Sequence, residues 1–431
     1  MTEHKKIKLG VIADDFTGAT DIASFMVAEG WRVILLIGTP TNNLDLDATL
    51  KDVDAIVISL KSRSCTPNIA IKESINAAKW LKKEGVAQLY FKYCSTFDSS
   101  EKGNIGPVTD VLMQEFSLQQ TVFCPALPIN GRTVLHGHLF VNGQLLNESG
   151  MQNHPVTPMR DANLCRVLAA QSKHLVGLID YVTIDQDAIS QQIQLLSEQG
   201  VQYFIVDTAH NTHLEVIARF VKSWELVTGG SGLAGALAKI DQENKQTKLL
   251  KNNLISSPIS TKTVIFSGSC SVMTCQQVAY YQEINAPCFE IEVQKAIHDQ
   301  NYADLICAWA LDQLALNKTL APLIFATQTA DQLKRIQTEF GAARASEAIE
   351  ELFAKVASQL KAQGVQNFIV AGGETSGAVT QALDITGFYI RASIAPGVPW
   401  VLDIDSECFL ALKSGNFGQI TFFEDAQKMK G

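Results

Sequence analysis

Residues 8–21 read KLGVIADDFTGATD. The apolar run Lys8–Ala13 is cut off by two aspartates, and a helical pattern, Ala19–Glu29, follows at once. A run without polar alternation is what a strand buried on both faces requires, and a helix directly after it makes the first half of a βαβ unit. The pattern repeats outward from this stretch. Strands are predicted at Arg32–Ile37, Ala55–Leu60, Gln88–Lys92 and Thr121–Cys124, with helices at Asn68–Glu84 and Gly106–Glu115. Two short runs, Arg132–Leu135 and His138–Val141, then break the rhythm, and Asn142-Gly143 is a hairpin turn signal. Alternation resumes with a strand at Tyr203–Asp207 and a helix near Leu214–Trp224. This is the signature of a mainly parallel sheet between helices.

The segment Asp241–Lys262 is polar and lacks a period, which marks a linker. Beyond it, strands are predicted at Thr263–Ser267, Pro322–Ala326, Phe368–Ala371, near Phe388–Ala392, at Pro399–Asp403 and last at Gln419–Phe423. A long amphipathic helix lies within Ala342–Gln363. The expected architecture is therefore two α/β domains with mainly parallel sheets and an interdomain cleft, residues 1–250 and 251–431. A length of 431 residues suits two domains. With 46% hydrophobic and 18% charged residues, the chain is neither disordered nor fibrous. A net charge of −9 argues against nucleic-acid and anionic-membrane partners. No apolar stretch is long enough to span a bilayer, and the first apolar run ends in aspartates where a signal peptide would have a cleavage site. The nine cysteines include no C-x-x-C pair, as expected of reduced thiols in a cytoplasmic protein.

Ligands bind beyond the carboxyl ends of parallel strands, so the residues there carry the chemistry. The first strand ends in Asp14 and Asp15, which suit hydrogen bonding to substrate hydroxyls and general-base work, with helix capping as the bland alternative. The next ends present Arg63, then Lys92 with Ser95, Thr96 and Asp98. Cations beside hydroxyls and carboxylates fit a small acidic, hydroxylated ligand. Downstream, His136 and His138 form an H-x-H pair. A metal role there lacks further ligands in sequence, and a substrate-loop role for His138 is the better expectation.

Glycine clusters are the second signal. They fall at Thr228–Gly235, Ser267–Ser271, Ala371–Gly377 and Lys413–Gly418, the last expected to precede the final strand. A strand, a Gly-rich turn and a helix N-terminus together offer backbone N–H groups to phosphate. The phosphate candidates are Ser267, Gly268, Ser269, Gly372, Gly373, Glu374, Thr375, Gly415 and Gly418. No G-x-x-x-x-G-K-[ST] occurs, and the protein-kinase motif set is missing. A small-molecule kinase fits this combination best.

Gly10–Asp21, Phe91–Ser99 (FKYCSTFDS), the Pro125–Arg132 loop, Val227–Gly232 (VTGGSG), Ser267–Ser271 (SGSCS) and Gly372–Thr375 (GGET) together resemble the four-carbon acid sugar kinase family, long known only as a domain of unknown function. The resemblance covers essentially the whole chain. It implies an N-terminal acid-sugar-binding domain, a C-terminal nucleotide-binding domain, and transfer of the γ-phosphate of ATP, with Mg²⁺, to the 4-hydroxyl of a four-carbon acid sugar in catabolism. 3-Oxo-tetronate is the first substrate expectation, and D-threonate or erythronate the alternative. It further implies that Ser269, Gly372–Thr375 and Gly415 contact ATP, while the Asp14/Asp15, Arg63, Lys92 and Asp98 region meets the substrate. In that scheme Arg63 or Lys92 binds the substrate carboxylate, and Asp14 or Asp15 accepts the hydroxyl proton. A homo-oligomer is compatible with the sequence, and the metal ligands are not assigned. Two other classes compete: a sugar-acid or nucleotide sensor without turnover, and a hydrolase built on His136 and His138.

Overall fold

A computed structural model describes residues 7–40, 50, 52–153, 157–243, 262–316 and 319–429. The chain divides into two compact units, residues 1–252 and 253–431. Most of the predicted linker, residues 244–261, lies outside the described residues. Among the described residues no helix is long and apolar enough to cross a membrane. All nine cysteines are free thiols.

In the first unit the strands are β1 (Leu9–Ala13), β2 (Val33–Ile37), β3 (Ala55–Ser59), β4 (Gln88–Lys92), β5 (Thr121–Cys124), β6 (Arg132–Leu135), β7 (His138–Val141), β8 (Gln144–Leu145), β9 (Leu175–Ile179), β10 (Val201–Val206) and β11 (Leu226–Gly229). Eight of them form a wholly parallel sheet in the order β2-β3-β1-β4-β11-β5-β10-β9. The central strands β1, β3 and β4 are buried at every residue, which is why they read as unbroken apolar runs. Their carboxyl ends are in register: Ala13 pairs with Ser59 on one side and Lys92 on the other, and Gly229 pairs with both Lys92 and Cys124. From β1 the chain goes out to β2, returns to β3 beside β1, then crosses to β4 on the other side. That reversal makes β1 the switch point where a ligand crevice opens.

Asp15 sets where the first helix begins. Its backbone is extended and its carboxylate accepts the Gly18 amide at 2.8 Å, so the helix Phe16–Ala28 starts before the apolar periodicity shows it. The excursion is a separate antiparallel sheet, β6-β7-β8. Asn142 and Gly143 take φ of 51° and 82°, the left-handed pair that a tight hairpin turn requires.

The second unit contains β12 (Thr263–Ser267), β13 (Cys288–Glu290), β14 (Leu323–Phe325), β15 (Asn367–Ala371), β16 (Gly387–Ala395), β17 (Val398–Asp403) and β18 (Phe409–Lys413). Their order is β13-β14-β12-β15-β18-β17-β16, parallel except that β17 runs against both neighbours. The ends again align: Ser267 pairs with Phe325 and Ala371, and Ala371 pairs with Lys413. The expected strand at Gln419–Phe423 is not one. The last strand is β18, and Phe422 begins a helix, Phe422–Lys428. Phe422, Phe423 and Ala426 lie on one helical face and bury against Trp400 and Ala411 in the core. The Lys413–Gly418 turn therefore follows the final strand, which puts it on the same rim as the turns after β12 and β15.

Candidate active site

Burial and ion pairing together build the acidic centre of the first unit. Asp14 is 6% exposed, directly after β1. Arg63, in the turn after β3, donates Nε to Asp14 Oδ2 at 2.9 Å and Nη2 to Asp14 Oδ1 at 2.7 Å, a two-pronged grip that suits a planar guanidinium. The same Nη2 donates to Asp15 Oδ1 at 2.7 Å, and Nη1 lies 3.9 Å from Asp98 Oδ2. Burial works against the Arg63 charge, but Asp14 and Asp15 outweigh it and hold the guanidinium above its ordinary value. Thr96 donates to Asp98 Oδ1 at 2.6 Å, which fixes the turn after β4. Phe97 in that turn is fully buried at φ 59°, a conformation that side chains this bulky adopt only when their surroundings impose it.

Asp15 differs from Asp14 in two ways. Its side chain is 29% exposed against 8% for Asp14. Both of its hydrogen bonds, from Gly18 and Arg63, fall on Oδ1, so Oδ2 is open. Burial, and then the Asp14 charge, raise its pKa above the ordinary carboxylate value, against the pull of Arg63, Lys92 and the Gly18 amide.

Lys92 is buried, and its ammonium donates to the Tyr93 carbonyl at 2.7 Å. It passes so near the first helix that a Cβ on Gly18 would sit 2.9 Å from Nζ, which explains the glycine at that position. Asp21, the last residue of the first motif, and Arg132, the last of the Pro125–Arg132 loop, join this group. Asp21 hydrogen-bonds to Ser231, and burial raises its pKa, opposed by Lys92, Ser231 and Arg132. Arg132, at the start of β6, is near enough to act on Asp21, and its buried Nε has no partner. Asp21 follows Asp15 by six residues, nearly two helical turns, and its side chain meets the site only because the helix starts directly after Asp15. Ser95 is half-buried.

The Thr228–Gly235 cluster packs against the backbone that follows β5. Its residues are buried, and a Cβ on Gly229 or Gly230 would lie 2.5 Å from the carbonyl oxygen of Cys124 or Pro125 respectively. Those glycines exist for close backbone packing. The histidine pair lies at the turn between β6 and β7. His138 on β7 makes its hydrogen bonds to the His136 carbonyl at 2.8 Å and to Asn163 at 3.4 Å. The amides of His136 and Gly137 are held by Asp207. The three-residue grouping with metal-ligand spacing among the described residues is instead Asp185, His210 and His213. There His213 Nδ1 accepts the Ala209 amide at 3.2 Å, so Nε2 carries the proton that bonds Asp185 at 2.9 Å and is not a free metal ligand.

In the second unit a cavity of about 610 Å³ opens at the strand ends. Gly268, Ser269, Gly372, Gly373, Glu374 and Thr375 line one end of it. Val293, Leu333, Ile336 and Ile349 give it an apolar wall, with Gln328 and Gln337 beside them. A polar glycine-rich end and an apolar wall match the two ends of a nucleotide. Ser267 is not in the lining: it is fully buried and bonds Thr327 at 2.7 Å behind the turn. Gly415 packs against Ser269 and Ser271, while Gly418, at φ 79°, forms a turn against the Phe422 ring. Glu350 and Glu374 both line the cavity, and burial, then a hydrogen bond that the Glu350 carboxyl donates to Glu374, raise the Glu350 pKa.

Two domain models match the chain: a sugar-binding N-terminal domain over residues 9–237 and a nucleotide-binding C-terminal domain over residues 264–423. Proteins named 3-oxo-tetronate kinase are 51% identical in Brucella melitensis, over 98% of this chain and 96% of that protein, and 51% identical in Haemophilus influenzae, over 98% and 99%. The chain belongs to the four-carbon acid sugar kinase family. The Escherichia coli member, also named 3-oxo-tetronate kinase, is 47% identical over 90% of this chain and 99% of its own. Crystal structures of a Haemophilus influenzae and a Salmonella typhimurium protein superpose with TM-scores of 0.86 and 0.90, at 50% and 47% identity, each covering 98% of this chain and 100% or 99% of its own. Within the family's domain scheme, the aspartate–arginine centre falls in the sugar-binding domain and the glycine-lined cavity in the nucleotide-binding domain.

Proposed function

We propose that this chain is an ATP-dependent kinase that phosphorylates the 4-hydroxyl of 3-oxo-tetronate, giving 3-oxo-tetronate 4-phosphate. The observation that carries the reading is the Asp14–Arg63–Asp15 constellation at the switch point of a domain matched as sugar-binding, in a chain about half identical to 3-oxo-tetronate kinases along its whole length.

In this reading residues 1–250 bind the acceptor and 251–431 bind the donor. Asp15 is the general base. Its open Oδ2 takes the C4 hydroxyl proton as that oxygen bonds to the γ-phosphorus and the bond to ADP breaks. A raised pKa moves it toward the range where a carboxylate is an effective base, while Arg63 keeps the pair charged and aimed. Because the Arg63 fork is already committed to Asp14 and Asp15, Lys92 is the better cation for the substrate carboxylate, with Arg132 as second. Ser95, Thr96 and Asp98 read the hydroxyls, and His138 borders the substrate from the small sheet. Ser269 and the Gly372–Thr375 turn hold the phosphates, Gly415 keeps that rim tight, and the apolar wall receives the adenine.

The Glu350 and Glu374 carboxylates resist ionising together, and a hard divalent cation suits such a pair. They are the residues that would hold Mg²⁺, which when bound neutralises phosphate charge. A kinase that draws on ATP fits a cytoplasmic location.

The test is ADP release with 3-oxo-tetronate, D-threonate and erythronate isomers in parallel. Turnover on 3-oxo-tetronate alone is expected. Preference for threonate or erythronate would move the assignment within the family, and ATP binding without ADP release from any of them would favour the sensor.

A further inference from the structure

Lys413, the last residue of β18, is 1% exposed. Its ammonium donates to Thr274 Oγ1 at 3.0 Å and to the carbonyls of Ser414 and Gly415 at 3.2 and 2.9 Å. Its own carbonyl accepts the Gly372 amide at 3.0 Å. Thr274 stands in the first turn of the helix Val272–Glu283, which Ser271 caps, and in turn donates to the Gly415 carbonyl at 2.7 Å. One buried side chain and its backbone thus tie together the turn after β12, the turn after β15 and the turn after β18.

All of the ammonium's partners are neutral. The titratable groups on the elements around it are Cys270, Cys275, Tyr280, Tyr281, Glu283, Glu374, Glu424, Asp425 and Lys428. Glu424 pairs with Lys428 and accepts from Tyr280, Asp425 accepts from Thr421, and Cys275 donates to the Gln328 carbonyl. The ring of Phe422 covers the ammonium at 5.9 Å. Among the described residues no carboxylate pairs with Lys413, and burial pulls its pKa down to about 8. A buried charge without a counter-ion is costly unless a ligand supplies one.

We propose that Lys413 is the positioning residue of the nucleotide site, clamping its three turns with an ammonium whose missing counter-charge the phosphates of the bound nucleotide supply. The proposal rests on the nucleotide-binding reading of the second unit. Its sign follows from linkage. Nucleotide binds the protonated form, so affinity is flat below pH 8 and falls as pH rises above it, by up to about tenfold per pH unit with about one proton taken up on binding. The phosphates of ADP are fully ionised in that range and add no slope of their own.

The experiment is calorimetric titration of the whole protein with ADP from pH 7 to pH 9.5, in buffers of contrasting ionisation enthalpy. Wild type is expected to show the falling affinity and the proton uptake. Lys413→Arg keeps its charge throughout, so it should bind ADP with no slope and no uptake. Lys413→Met should bind at least tenfold more weakly at pH 7, also without slope. The wild-type measurement stands alone if Lys413→Met does not fold: a flat affinity with no proton uptake overturns the proposal. A slope that persists in Lys413→Arg assigns the titration to another group and also overturns it. Wild type that binds no ADP at any pH overturns the nucleotide reading itself, a result distinct from binding that ignores Lys413.

Discussion

Asp15→Asn separates the chemistry of the acidic centre from its architecture. Asparagine caps a helix about as well as aspartate, so its oxygen still accepts the Gly18 amide that Asp15 Oδ1 now holds at 2.8 Å. The Arg63 fork on Asp14, at 2.9 and 2.7 Å, does not involve Asp15 and persists. Removing the charge loses one Arg63 contact and a favourable helix-dipole interaction, but relieves repulsion with Asp14. The net stability change should stay within about 1 kcal/mol. Proton transfer has no such substitute. Loss of a positioned base lowers kcat by about 10²–10⁴-fold, or about 3–5 kcal/mol of transition-state stabilisation. The assay is a coupled ADP-release rate at saturating ATP and acid sugar, with a thermal melt and an ADP titration on the same protein. The expected pattern is a collapsed kcat beside a near-normal melt and unchanged ADP affinity. A folded Asp15→Asn protein whose kcat stays within about threefold of wild type would remove Asp15 from the base role.

Arg63→Met leaves the buried Asp14 carboxylate without its cation, so it should lower stability by about 3 kcal/mol and kcat with it, and Arg63→Lys should rescue little because an ammonium cannot reproduce the fork. A melt and rate equal to wild type in Arg63→Lys would count against the fork. Because a base works only when ionised, kcat/KM for the acid sugar should be lost as pH falls through the raised Asp15 pKa, above the ordinary aspartate value of about 3.9, and a profile flat down to pH 4 would contradict this. Gly415→Ala would drive a Cβ into Ser269 and Ser271, the latter's Cβ lying 3.0 Å away, and should raise the KM for ATP by roughly tenfold while leaving that for the acid sugar unchanged; equal effects on both would show the turn is not specific to nucleotide.

The parallel strands were legible because burial on both faces leaves no polar alternation to confuse the period, and β4 and β5 run over the very residues expected. The Asp14-Asp15 pair was legible because charges interrupt such a run where a ligand would meet it. Pairings across the sheet were not. Arg63 and Asp14 are 49 residues apart, and only the register of β1 with β3 brings the guanidinium onto the carboxylate and away from a free substrate-binding role. Phe422 and Phe423 misled for a different reason: a short apolar cluster has no measurable period, and the decisive Ala426 lies beyond it. The Gly229–Gly232 glycines look like a phosphate loop in sequence, since close packing and phosphate approach both demand a missing Cβ. Lys413 was legible only as the head of a glycine cluster, since its place at the end of the last strand and its burial depend on the fold.

The central claim is transfer of a phosphoryl group to the 4-hydroxyl, and the product reports it directly. In a proton-coupled phosphorus NMR spectrum of the reaction with ATP and 3-oxo-tetronate, a new phosphomonoester signal should appear as ADP forms, split into a triplet by the two protons on C4. A doublet would place the phosphate on the secondary C2 oxygen, and ADP formed with only inorganic phosphate would mean that water is the acceptor; either result would contradict the account.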